Sequence, residues 1–544
     1  MKRAESENKN RKGFMSGVFI LSASTLIVKV IGLAYKIPMM NILGAQGMGY
    51  FNSAYEVYAL LCVISTAGLP LALSMMISSR DSRGDGTAVK RVYNTALTVF
   101  LTLGITGSLV MAFFGQPLAN YIENPEAYGC ILAISPALIC VCISSAVRGY
   151  FQGINRMMPT ALSQLIEAVC KLVFGIIFAS YALKKGYGVA YAAAFAVVGL
   201  SVGTLLSAIY LLLLKFFDDK RSPALVIKNG EKETGVAKQL LSIAIPITLG
   251  SAVLSLGRVV DMALIMRRLV DIGHSSAGAN EIYGAYTTMA IPVFSLIPSL
   301  VTPVALALVP QISAAISQQD KATQISVVRA SMRLTSLFAM PASMGVTLYA
   351  RDILELLFVQ QKEAIDVAAP LLAMLGISIL FSCTITTTNA ILQSYGQTKK
   401  PIIAMVVGTL VKALGAYVLI GNASVGIMGA PISTLACDLT ITVINLYYVN
   451  KYVPRIDKVQ RLYARPFAAS LAMVCVSLAA YMLMIHFGNS NIIAFVAAMI
   501  AAVISYLFFA AVFGALERED ILSMPFGETL LKIFGRVGFL EKLK

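Results

Sequence analysis

The feature that most constrains this chain is the recurrence of apolar runs long enough to cross a bilayer. Fourteen segments read this way, at residues 14–37, 50–77, 92–114, 127–147, 159–183, 187–214, 239–266, 282–311, 326–349, 366–392, 401–421, 425–449, 463–487 and 491–515. About 20 apolar residues wound as a helix span the hydrocarbon core, where the chain must satisfy its own backbone polar groups. The expected fold is an all-α polytopic membrane protein with 14 transmembrane helices. Only 13% of the residues are charged, against roughly 25% in soluble domains. Residues 1–13 are polar and basic. The run after them is too long for a signal-peptide core and has no small-residue cleavage site, so it is read as the first span.

Composition narrows the chemistry. The eight cysteines fall mostly in apolar runs, without a C-x-x-C pair, and the two histidines, His274 and His486, are far apart. A disulfide framework, a metal centre and His-based catalysis are not expected. There is no H-E-x-x-H and no G-x-S-x-G. The chain is therefore expected to be no enzyme, with no catalytic residue, metal or cofactor.

The net charge is +16, and its distribution explains it. With fourteen spans, one side holds both tails and the loops after helices 2, 4, 6, 8, 10 and 12, and carries 32 of the 43 Lys and Arg residues. The other side has Lys184, Lys185, Arg267, Arg268, Arg351 and Lys362. The positive-inside rule then puts both termini in the cytoplasm and makes the excess charge topological, so no nucleic-acid partner is needed. The C-terminal run GETLLKIFGRVGFLEKLK sets Leu530, Leu531, Phe534, Val537 and Leu540 on one stripe, as expected of an amphipathic helix on the inner leaflet.

An internal repeat organises the spans. Gln152 and Lys171 are 19 residues apart, as are Gln393 and Lys412, and a proline opens the next helix in both copies, Pro159 and Pro401. PLALSMMIS from Pro70 resembles PVALALVPQIS from Pro303, and laying helix 1 on helix 7 pairs Lys29 with Arg258. Helices 1–6 and 7–12 thus read as two parallel copies, an N-lobe at 14–215 and a C-lobe at 238–450, around a central cavity. A basic tail (1–13), a cytoplasmic linker (216–237), two extra helices (451–515) and an amphipathic tail (516–544) complete the division. Two such lobes suit alternating access. Helix 8, with Pro292, Pro298, Pro303 and Pro310, is either a flexible element or a set of static kinks.

With Arg329, Arg333 and Arg465 counted at the cytoplasmic ends of their spans, five cations remain inside spans: Lys29, Lys36, Lys171, Arg258 and Lys412. The acids there are Glu56, Glu167, Asp261 and Asp438. A charge at the bilayer centre costs about 2.5–3.5 kcal/mol on insertion scales, so such groups need a cavity, a partner or a charged substrate. Glu167 and Lys171 are spaced i,i+4 and Arg258 and Asp261 i,i+3, so internal salt bridges are one reading of both pairs; the acids are equally candidates for ion coupling. Lys36, near the outer end, is either a substrate ligand or a snorkeling anchor. Lys29 is mid-helix with no acid on its own helix. Paired through the repeat, the cations suggest a cavity for an anion such as phosphate or pyrophosphate.

The patterns S-x-x-T-L-x-x-K-V-I-G-L from Ser22, I-L-G-A-Q-G-M-G-Y-F-N from Ile42 and G-L-P-L-A-L-S from Gly68 resemble the MurJ/SpoVB branch of the multidrug/oligosaccharidyl-lipid/polysaccharide (MOP) exporter superfamily. The resemblance implies a lipid II flippase of the bacterial plasma membrane, its basic cavity residues falling on Lys29, Lys36 and Arg258. Where that family often has helix-1 arginines, this chain has lysines, which cannot fork bidentately. The resemblance further implies a groove for the lipid tail at helices 13 and 14. A lipid-linked oligosaccharide and the bilayer are the expected partners, with the cell-wall synthesis machinery a further candidate and a monomer the expected state. Coupling to an ion gradient or to the membrane potential is open. The alternatives are an exporter of another undecaprenyl-linked sugar, such as a teichoic acid or capsule unit, a cation-coupled multidrug exporter, and a non-transporting scaffold.

Overall fold

The computed structural model describes residues 2–81, 83–221, 235–454, 459–488 and 490–515. Its helices are α1 (Lys2–Thr66), α2 (Leu69–Asp81), α3 (Gly86–Tyr121), α4 (Tyr128–Ile134), α5 (Ala137–Gly153), α6 (Met158–Lys184), α7 (Val189–Arg221), α8 (Val236–Asp271), α9 (Ser276–Ala285), α10 (Ile291–Ser317), α11 (Lys321–Leu348), α12 (Ala350–Leu357), α13 (Lys362–Ser394), α14 (Lys399–Ile420), α15 (Gly429–Tyr452), α16 (Val459–His486) and α17 (Asn491–Val512). No strand occurs among the described residues. Eleven helical stretches among them are long and apolar enough to cross a membrane, the first of which, Ile27–Asp81, contains the second half of expected span 1 and all of expected span 2. Segments 239–266 and 326–349 lie on α8 and α11 and are not among the eleven.

Local chemistry sets the breaks. Inside α1, Gly44 has φ +66° and ψ −179°, a conformation essentially reserved for glycine, and it divides span 1 from span 2. Pro159 is the second residue of α6 and Pro401 the third of α14, positions where the missing N–H costs nothing. Helix 8 is interrupted by a π-helical turn, Tyr286–Ala290, immediately before Pro292.

By packing, the chain forms two compact units, Met1–Thr288 and Met289–Lys544. In the first, α6 and α7 pair along their lengths, α1 lies against α6, α8 and α9, and α2 and α3 lie against α5. Its core gathers Leu73, Ile77, Val92, Phe100, Phe151 and Leu240. The α1–α9 approach is so close that a Cβ on Gly284 would sit 1.9 Å from the Ala45 carbonyl oxygen. Backbones meet this way in membranes through small residues. Buried amides bridge the helices there: Asn124 donates to Ser53 Oγ at 3.1 Å and to Asn280 Oδ1 at 2.7 Å. In the second unit α13 packs on α10, α11 and α15, and α14–α15 and α16–α17 form helical pairs. Asp320 caps α11 by accepting from the Thr323 N–H at 3.0 Å, and hydrogen bonds from Thr323 hold its carboxyl below the usual carboxylate range.

The packing division at 288/289 places α8 and α9 with helices from the first sequence repeat, whereas the repeat boundary is at 216–237. Most of that linker, residues 222–234, and the amphipathic tail at 516–544 lie outside the described residues.

Candidate functional site

Four of the five intramembrane cations, Lys29, Lys36, Lys171 and Arg258, fall in the first unit. Helix α1 carries Lys29 and Lys36 two turns apart before the Gly44 break and Glu56 after it. Lys29 is exposed and makes no hydrogen bond or ion pair among the described residues. Lys36 is half-buried, and its Nζ donates to the Thr287 carbonyl at 2.9 Å. Thr287 lies in the π-helical turn, where the normal backbone ladder is interrupted. Asn52 secures the same turn, donating to Thr287 Oγ1 at 2.9 Å and Thr288 Oγ1 at 2.8 Å. Lys36 therefore spends its ammonium inside the protein, within electrostatic range of Lys171 and Glu56.

Arg258, on α8, donates to Ser255 Oγ at 2.9 Å, and its Nε lies 3.7 Å from Glu56 Oε2. The Arg258 side chain is 56% exposed, so this pair contributes no more than about 1 kcal/mol. Its value is placement: an acid of α1 faces a cation of α8. Asp261 follows one turn on, half-buried.

The expected Glu167–Lys171 pair does not form. Glu167 Oε2 instead accepts from Arg148 Nη2 at 2.9 Å, while Arg148 also donates from Nε to Ser163 Oγ at 2.9 Å and from Nη2 to Ser207 Oγ at 3.1 Å. The guanidinium fork satisfies three acceptors at once, which an ammonium one turn along the same helix does not match. Lys171 lies over two tyrosine faces, 5.1 Å from the Tyr35 centroid and 5.2 Å from that of Tyr55. A cavity of about 270 Å³ opens beside these groups, lined by Tyr35, Tyr55, Arg148, Gln164, Glu167 and Lys171 among others.

In the second unit, Asp438 of α15 accepts a short hydrogen bond from Ser382 Oγ of α13, with Lys412 of α14 within electrostatic range. A separate, almost wholly apolar cavity of about 310 Å³ lies among α11, α16 and α17, lined by Leu337, Phe338, Met473, Met499, Val503 and Tyr506 among others.

Arg148 escaped the sequence reading because the apolar run was ended at residue 147, whereas α5 continues to Gly153. The signal in the sequence is Glu167 itself, an acid in an apolar helix that needs a cation, but Lys171 at i,i+4 offers a local partner and hides the one from another helix. Asn52 and Thr287 carry no such signal.

The chain matches the Polysaccharide biosynthesis protein family over residues 14–316, more than half its length. It belongs to this family. A second family, MatE, matches residues 278–418, and membership places the chain in the MOP superfamily that its motifs resemble. Stage V sporulation protein B of Bacillus subtilis (strain 168) is 25% identical over 523 residues, covering 95% of this chain and 98% of that protein. Lipid II flippase MurJ of the same organism is 25% identical over 422 residues, covering 73% and 76%. Among solved structures, "Lipid II flippase MurJ, inward closed conformation" shares the fold, with a TM-score of 0.70 at 16% identity, over 91% of this chain and 98% of that one. The family member described here is thus a multi-pass plasma-membrane protein of a transporter fold.

Proposed function

We propose that this protein is a flippase carrying lipid II, the undecaprenyl-pyrophosphate-linked peptidoglycan precursor, from the inner to the outer leaflet. The observation that carries the reading is the gathering of four cations, Lys36, Lys171, Arg148 and Arg258, with three acids, Glu56, Glu167 and Asp261, within one apolar helical unit, which leaves a net positive charge. Such a surplus of positive charge suits a doubly charged pyrophosphate. Lys29, Lys36, Lys171, Arg258 and Lys412 are the proposed head-group ligands, with Asp261 and Asp438 the proposed ion-coupling acids.

In this reading the lobes 14–215 and 238–450 alternate access, both termini are cytoplasmic, and the protein works as a monomer alongside the cell-wall synthesis machinery. The lipid tail stays in hydrocarbon, and the apolar cavity among α11, α16 and α17 supports a place for it. A membrane potential negative inside favours outward movement of each anionic charge by about 2.3 kcal/mol per 100 mV.

Complementation tests this. Expression in a strain depleted of its lipid II flippase is expected to restore growth, and failure despite correct membrane insertion overturns the substrate. A relative matched over 95% of this chain is named for sporulation, which favours as a second reading the export of a different undecaprenyl-linked glycan. That reading predicts failed complementation with loss of another surface polymer on deletion.

A further inference from the structure

The cavity bounded by α1, α5 and α6 has a charge arrangement that the sequence does not suggest. On α6 alone, Glu167 and Lys171 are spaced to attract each other. In the folded protein Arg148 takes Glu167, and Ser163 and Ser207 fix the guanidinium that does so. Lys171 is left with two tyrosine faces and no hydrogen-bond acceptor or ion-pair contact among the described residues, with Glu167 within electrostatic range but bonded elsewhere. Aromatic faces stabilise an ammonium without consuming its N–H donors. Tyr35, which supplies one face, is buried, and its hydroxyl has no hydrogen-bond partner among the described residues. The three ionised groups lining the cavity, Arg148, Glu167 and Lys171, sum to one positive charge.

We propose that this cavity is a station for a phosphate-class anion, with Lys171 as the binding cation and Arg148 as a positioning residue that keeps Glu167 away from it. The proposal rests on the flippase reading for the source of the phosphate, since a lipid-linked pyrophosphate and free pyrophosphate share the chemistry. It adds that anion affinity is set by competition: Glu167 and the ligand are rivals for one ammonium, and Arg148 decides the contest. Removing Arg148 frees Glu167 to turn toward Lys171 and block the site.

The test is a set of variants of the full-length protein in detergent, with binding measured for lipid II and for inorganic pyrophosphate. Arg148→Ala is expected to weaken binding roughly tenfold, about 1.4 kcal/mol. Adding Glu167→Gln to it removes the rival and is expected to restore affinity to within roughly threefold of wild type. Thermal midpoints of each variant report the structural cost, which the double variant does not recover. Equal weakness in the single and double variants overturns the proposal, as does an Arg148→Ala protein that binds like wild type. If wild type binds pyrophosphate in this pattern but not lipid II, the station stands and the lipid II reading falls. If wild type binds neither, both fall.

Discussion

The Lys171 ammonium lies 5.1 Å from the ring centroid of Tyr35 and 5.2 Å from that of Tyr55, so two residues of α1 hold the cation of α6. Each such contact contributes about 0.5–2 kcal/mol. Lys171→Met keeps the chain length and the packing on the rings but deletes the charge. Its expected effect is a fall in lipid II translocation of at least roughly tenfold, or about 1.4 kcal/mol of barrier, with near-normal expression and thermal midpoint. Lys171→Arg is expected to retain a measurable part of the activity. Full transport by the methionine variant in proteoliposomes would remove Lys171 from the site.

Gly44 and Gly284 predict different failures. At Gly44 nothing lies within 4 Å of an added Cβ, but the backbone sits at φ +66° and ψ −179°. Gly44→Ala is therefore expected to cost about 1–3 kcal/mol through backbone strain alone. At Gly284 the backbone is helical, yet a Cβ meets the Ala45 carbonyl oxygen at 1.9 Å, an overpacking cost of about 1–3 kcal/mol or more. Restoring space by changing a neighbouring side chain cannot help Gly44. Nor can it help Gly284, where the obstacle is main chain. Thermal melts in detergent should show both losses, and an unshifted midpoint in either contradicts its mechanism.

How far the residues alone disclose this arrangement depends on the range of the force involved. Hydropathy is summed over a segment, so the all-α membrane fold was readable from runs such as 159–183 and 491–515, which lie on α6 and α17. Lys29 and Lys36 stood out because a cation in an apolar run is costly whatever surrounds it. Their partners were not readable. The bond from Lys36 to Thr287 spans 251 residues and depends on a π-helical turn with no local signature. Glu56 meets Arg258 only because α1 packs on α8. Local spacing misled at Glu167, where an i,i+4 lysine lost to an arginine from α5 that hydropathy had assigned to a loop.

Topology is open to direct labelling. The positive-inside count puts Lys90 in the cytoplasm and Lys185 outside. Cys475 is exposed and must first be replaced by alanine, along with the other native cysteines. A membrane-impermeant maleimide applied to intact cells is then expected to label Lys185→Cys and not Lys90→Cys, with both labelled after permeabilisation. The reverse pattern would invert the orientation and with it the direction of transport.

Lys36 and Asn52 hold the same π-helical turn from one helix, through the Thr287 carbonyl and through the hydroxyls of Thr287 and Thr288. A hydrogen bond from a charged donor contributes about 1.5–3 kcal/mol and a neutral one about 0.5–1.5 kcal/mol. Asn52 makes two neutral bonds to the single charged bond of Lys36, so Lys36→Met and Asn52→Ala should lower the thermal midpoint by similar amounts. The two losses should also fail to add. Once either tie is cut, the turn relaxes and the second tie holds less, so the double variant is expected to fall short of the sum by at least about 0.5 kcal/mol. Additive losses would mean that the two side chains act on separate structures. If Lys36 is also a head-group ligand, its bond to Thr287 must exchange for a phosphate oxygen during the cycle. Lipid II should then protect the wild-type turn from hydrogen exchange less well than it protects the neighbouring α9, and equal protection of both would argue that the lysine never leaves Thr287.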